Sequence, residues 1–123
     1  MRNDGIMEVG MTSEIQAKAK ELAELILNSE EYQNYIKSKE VLKADKELYD
    51  KVNELRRRNY FLQVEGDENS IYDEMCKMQN EFATIRQDNR VDKFLRDEVS
   101  LCRMIQQINK IVTKEIDFEL DFF

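Results

Sequence analysis

Residues 45–88 read DKELYDKVNELRRRNYFLQVEGDENSIYDEMCKMQNEFATIRQD. Two apolar stripes run through this stretch. Leu48, Val52, Leu55, Asn59 and Leu62 are spaced four, three, four and three residues apart. Ile71, Met75, Met78, Phe82 and Ile85 repeat that spacing. Between them lies Glu65-Gly66-Asp67-Glu68-Asn69-Ser70. A repeat of about 3.5 residues keeps one side of a helix turned toward a neighbouring helix. Two such stripes with a short Gly-containing break predict an antiparallel helical hairpin packed like a short coiled coil. Asp45 is placed to cap the first helix, which runs to about Glu65, and Gly66 to end it in a left-handed conformation. Asn69 or Ser70 starts the second. Polar Asn59 stands inside the first stripe. It either fixes the register of the seam at a cost in stability or tilts to the edge and meets water.

Working outward, Ser13 and Gln16 form an S-x-x-Q capping box for an earlier helix, with Ile15, Ala19, Leu22 and Ile26 on one face. Asn28-Ser29 offers a fresh N-cap, and Glu30 and Glu31 suit the positive end of the next helix. That helix carries Tyr32, Tyr35, Ile36 and Leu42, and is either separate from its predecessor or its kinked continuation. Downstream, Asp88-Asn89 makes another break, and a last helix begins near Val91. Its apolar positions run from Val91 to Ile116 in a stripe wider than one neighbour requires. It therefore packs on several neighbours or on a second subunit. The expected fold is all-α, with four to five amphipathic helices in a single domain over residues 12–116. Residues 1–11 have no periodicity and read as a flexible leader. Residues 117–123, Asp117-Phe118-Glu119-Leu120-Asp121-Phe122-Phe123, alternate acidic and apolar side chains. Such a tail either covers its own bundle, stays disordered, or docks Phe118, Leu120, Phe122 and Phe123 into a partner's groove.

The composition suits this reading. The chain of 123 residues has no Pro and only 3 Gly, so breakers of long helices are scarce. Its 37% charged and 41% hydrophobic residues fit amphipathic helices with one buried stripe. The net charge of −7 opposes direct binding to nucleic acid, whose affinity rests largely on phosphate neutralisation. Arg56-Arg57-Arg58 is the compact basic run, but successive helix residues fan about 100° apart and share no face. No segment has the basic and apolar pattern of a signal peptide or the length of a membrane span, so a cytoplasmic protein is expected.

Chemistry is sparse. The chain has 0 His, which removes the commonest general base and metal ligand. Carboxylate pairs such as Glu21 and Glu24 lack the Glu-x-x-His partners of a di-iron site and read as a solvated face. There is no phosphate-binding loop. Cys76 and Cys102 are expected as reduced, buried structural thiols, with a metal or redox role as the alternative. Met75 and Met78 are expected in the core, with a binding groove as the alternative. Tyr32 and Tyr35 share a face, and either cover the bundle with their hydroxyls in water or form a partner patch. No catalytic residue, metal site or cofactor emerges.

The order of parts carries a family resemblance. Ala19-Lys20-Glu21-Leu22-Ala23-Glu24-Leu25-Ile26 precedes Ser29-Glu30-Glu31-Tyr32-Gln33-Asn34-Tyr35, and a helix containing Leu55-Arg56 follows. After the hairpin come Asn89-Arg90-Val91-Asp92-Lys93-Phe94-Leu95 and Ile108-Asn109-Lys110-Ile111. From Ile15 to Ile116 this resembles the YlbF/YmcA family of small helical bacterial proteins. The resemblance implies a regulatory adaptor rather than an enzyme. It implies a homodimer or assembly with paralogous family members, in complexes linked to competence, sporulation and biofilm development. It also implies a link to mRNA processing by a membrane-anchored endoribonuclease. Some members are associated with iron–sulfur clusters through cysteines; this chain has no C-x-x-C or comparable ligand group. Two readings stand beside the adaptor: a structural helical dimer of unknown process, and a direct RNA-binding module.

Overall fold

The computed structural model describes residues 12–65 and 68–116, with side chains for residues 12–64 and 71–116. Among the described residues there are five α-helices and no strand. They are α1 (Ser13–Leu27), α2 (Glu30–Lys43), α3 (Lys46–Glu65), α4 (Glu68–Ile85) and α5 (Asn89–Ile116).

Local hydroxyl and carboxylate chemistry sets the boundaries. Thr12, not Ser13, caps α1: its backbone is extended and its hydroxyl accepts from the Ile15 N–H at 3.2 Å. Both residues can cap, but a β-branched side chain suits the extended N-cap backbone better than a helical site. The capping box centred on Ser13 is thereby displaced. Ser29 caps α2 as expected. Its Oγ accepts from the Tyr32 N–H at 3.1 Å and donates to the Ile26 carbonyl at 2.6 Å. Gln33 Nε2 also reaches back to the Leu27 carbonyl at 2.8 Å. These bonds close α1 and open α2, so the two are separate helices. Asp45 caps α3, accepting from the Leu48 N–H at 3.2 Å. Helix α4 starts at Glu68, ahead of Asn69 and Ser70. First-turn N–H groups have no intrahelical carbonyl partner, so polar residues are tolerated inside that turn. Gly66 lies outside the described residues. Helix α5 begins at Asn89, two residues before Val91, because Asp88 already accepts from the Arg90 N–H at 2.9 Å.

The core is formed by Leu42 of α2, Val52 and Leu55 of α3, Met78 and Ile85 of α4, and Val91, Phe94 and Leu95 of α5. The most extensive helix contact is α2 on α5, followed by α3 on α4. Lys51 lies beside Thr84 and Ile85, and Arg58 forks onto Glu81 at 3.0 and 2.8 Å, so α3 and α4 run in opposite directions. Both stripes therefore contribute to the core, but unevenly. Met78 is buried, whereas Met75 is 41% exposed, contrary to its place in the stripe. The buried stripe positions cluster at the end of the α3–α4 pair that meets α2 and α5. Toward the other end Leu62 is half-buried and Tyr60, Phe61, Val64 and Tyr72 are exposed. Ser38 is the one buried polar side chain among the described residues, and its hydroxyl donates to the Tyr35 carbonyl at 3.2 Å. Burial of a polar group without such a bond is costly.

Candidate functional site

Helix α5 has 28 residues and a length of roughly 42 Å at 1.5 Å per residue. Helix α2, with 14 residues, covers about half of that. The near half of α5 holds Val91, Phe94 and Leu95 in the core. The far half continues the same apolar stripe without full cover. Leu101, Met104 and Ile108 are half-buried, while Ile105, Ile111, Val112 and Ile116 are exposed. Helix α1 shows the same feature. It has no buried residue, packs on α2, and leaves Ile15, Leu22, Leu25 and Leu27 in water. Full burial of such a side chain contributes roughly 1.5–3 kcal/mol, part of which is forgone here. Isolated exposed apolar residues are ordinary; here they fall in two continuous stripes.

Several charged groups hold helices of the bundle to one another. Arg90 links the caps of two helices: its guanidinium donates to Asp88 at 2.8 Å and to Asp45 at 3.3 Å. That guanidinium, with the Arg90 N–H, holds the Asp88 carboxyl down to about 2. Asp92 is pulled below the usual carboxylate range first by its hydrogen bond from Arg86 and further by the charge of Arg96. Arg56 of α3 is paired with Glu98 of α5, and its guanidinium carbon sits 5.4 Å from the Phe94 ring centre. The forked bond from Arg58 holds the Glu81 carboxyl below its ordinary value. Arg56, Arg57 and Arg58 thus point to different surroundings, and two of the three are held in cross-helix ion pairs.

The sequence-predicted surface residues are not gathered in one place. Tyr35 stacks on Phe94 with ring centres 5.6 Å apart, and so belongs largely to the α2–α5 contact. Tyr32 is half-buried beside it at 6.4 Å. Asn59 is also half-buried and lines an open groove of about 670 Å³ between α3, α4 and α5, with Arg56, Phe82, Leu95 and Glu98. Phe118, Leu120, Phe122 and Phe123 lie outside the described residues. Cys76 and Cys102 are both exposed, which corrects the expectation of buried thiols. Cys76 follows the stripe position Met75 and is turned about 100° off it. Cys102 lies on a face of α5 that no helix among the described residues covers, turned about 100° from half-buried Leu101.

Among the described residues, no group of three or more His, Cys, Asp and Glu is placed to hold a metal ion. Iron–sulfur clusters take several thiolates, classically four. One exposed cysteine on α4 and another on α5 do not fit such a cluster within one chain. No helix among the described residues is long and apolar enough to cross a membrane.

Among the described residues the molecule is an all-α bundle with exposed apolar faces on α1 and the far half of α5. The chain belongs to the YlbF/YmcA family: the profile described as "Control of competence regulator ComK, YlbF/YmcA" matches residues 15–117. That family is a regulatory one, and the match spans all five helices. Neither the curated proteins nor the solved structures contain a match to this chain.

Proposed function

We propose that the protein is a non-enzymatic regulatory adaptor of the cytoplasm that acts by presenting helical surface to itself and to partner proteins. The observation that carries this reading is the uncovered apolar face on α1 and the far half of α5. Such faces are stabilising only when another protein surface removes them from water. The family description, control of a competence regulator, supports a regulatory setting. The partners to test are second copies, paralogous family members and an endoribonuclease complex. The processes to test are competence, sporulation, biofilm development and mRNA processing.

Direct RNA binding is disfavoured by the net charge of −7 and by the ion pairs that engage Arg56 and Arg58. The test is affinity capture of the tagged chain from its native cells, with mass spectrometry of what is retained. A parallel capture uses Leu22→Asp, which places a charge on the α1 face. The adaptor reading expects specific proteins other than the chain itself, reduced by Leu22→Asp. Retention of the chain alone would overturn it in favour of a structural helical dimer. Retention of RNA by the purified chain, with salt-sensitive nanomolar affinity, would overturn it in favour of an RNA-binding module.

A further inference from the structure

Helix α1 and the far half of α5 carry stripes of the same pattern. Ile15, Ala19, Leu22 and Ile26 are spaced four, three and four residues apart; so are Leu101, Ile105, Ile108 and Val112. Each stripe is three helical turns long, and each has the repeat that suits lengthwise packing against another helix. Among the described residues they form no extended contact with each other. Helix α1 packs on α2 and has no extended interface with α5. Leu22 and Ile105 are 37% and 40% exposed at the middle of their respective stripes. Ala19 is small enough to let a facing helix approach closely.

Charge complements the pattern. Helix α1 carries Glu14, Glu21 and Glu24 against Lys18 and Lys20, an acidic balance. Residues 101–116 carry Arg103, Lys110 and Lys114 against Glu115, a basic balance in an otherwise acidic chain. By helical periodicity those three cations lie away from the stripe. They can attract an acidic helix at long range without being buried in the seam. The two segments are thus suited to each other in shape, spacing and sign.

We propose that α1 of one copy lies along the far half of α5 of a second copy, and the reverse, so that two α1–α5 pairs close a two-fold dimer. This rests on the reading that the protein works through protein contacts, and names the first of those contacts. Area argues for both pairs forming together. With α1 about 22 Å long and a contact width of about 10 Å, one pair buries roughly 450 Å² counting both helices. That is the size of an incidental contact, whereas two pairs approach the ~1,000 Å² that a specific interface needs. A reciprocal exchange also covers both stripes at once and closes the assembly at two copies.

Disulfide trapping tests this. The background is Cys76→Ser/Cys102→Ser, since both natural thiols are exposed. Leu22→Cys is combined with Ile105→Cys for an antiparallel pair and with Ile108→Cys for a parallel one. Each single-cysteine chain serves as a control, and circular dichroism confirms that every variant is helical. After mild oxidation, one double variant should run as a covalent dimer on a non-reducing gel and revert with reductant. The single variants should stay monomeric. A covalent dimer from Leu22→Cys or Ile105→Cys alone would show like helices meeting and overturn the proposal. An internal disulfide in a monomer band would overturn it by placing α1 on its own α5. Absence of any crosslink, with sedimentation still reporting a dimer, would overturn this interface and leave self-association standing. A monomer by sedimentation would overturn both.

Discussion

Removing the Phe94 side chain probes the junction on which the fold depends. Phe94 is 0% exposed, stacks on Tyr35 with ring centres 5.6 Å apart, and lies 5.4 Å from the Arg56 guanidinium carbon. Phe→Ala at a buried site costs about 3–5 kcal/mol through lost transfer energy and the cavity left behind. Part of that is the aromatic pair, worth about 0.5–1.5 kcal/mol. The cation–π contact adds about 0.5–1 kcal/mol, while the Arg56–Glu98 pair survives. Phe94→Ala is therefore expected to cost about 4–5 kcal/mol, a large share of the ~5–15 kcal/mol of a typical domain. Phe94→Leu keeps most of the volume and should cost about 1.5 kcal/mol. The contrast is Tyr60→Ala at a position 61% exposed, expected to change stability by less than about 0.5 kcal/mol. Urea unfolding followed by circular dichroism measures all three. Protein concentration must be fixed, because association contributes to apparent stability. An unchanged slope against urea would show that the unfolded surface is comparable. A loss below about 1 kcal/mol for Phe94→Ala, or an equal loss for Tyr60→Ala, would refute the placement of the core.

Three further outcomes follow from particular residues. If Asn59 fixes register, Asn59→Leu raises the melting temperature and broadens the oligomer distribution; no change in either supports the edge position. Arg90→Met should let the Asp88 carboxyl return from about 2 toward its ordinary value of 3.8. Because the folded-state value is the depressed one, the stabilisation exists above about pH 4 and is lost as pH falls toward about 2. The stability advantage of wild type over Arg90→Met should shrink across that interval in urea melts, and a constant difference would contradict the bridge. Deleting residues 117–123 separates the roles of the tail. Weakened assembly with an intact helical signal supports docking, and a lower melting point without altered association supports cover for its own bundle.

The parts of the fold that were legible in the sequence are those written in local chemistry. Ser29, Asp45 and Asp88 each accept a backbone N–H two or three residues ahead, so their spacing alone points to helix starts. Thr12 and Ser13 are chemically near-equivalent caps, and the boundary moved by one residue. The α3 and α4 stripes revealed which faces meet, but not how far along the helices cover extends. Met78 and Met75 have equivalent positions in the pattern, yet only Met78 lies where other helices close over the pair. The same cause exposes Cys102 and Ile105. Periodicity reports that a face is apolar and is silent about whether the chain itself covers it. Arg90 was illegible as a bridge because Asp45 lies 45 residues away and is brought near only by folding. In the candidate site, the wide stripe of α5 was visible in advance. The complementary exposure of α1 was not, since its residues resemble those of any core-facing helix.

Sedimentation equilibrium of the purified full chain at micromolar concentration tests the central claim that the uncovered faces serve association. The expected result is a mass near twice 14.7 kDa, falling toward 14.7 kDa when Leu22→Asp places a charge on the α1 face. A clean monomer across that range, with wild type and Leu22→Asp indistinguishable, would contradict it.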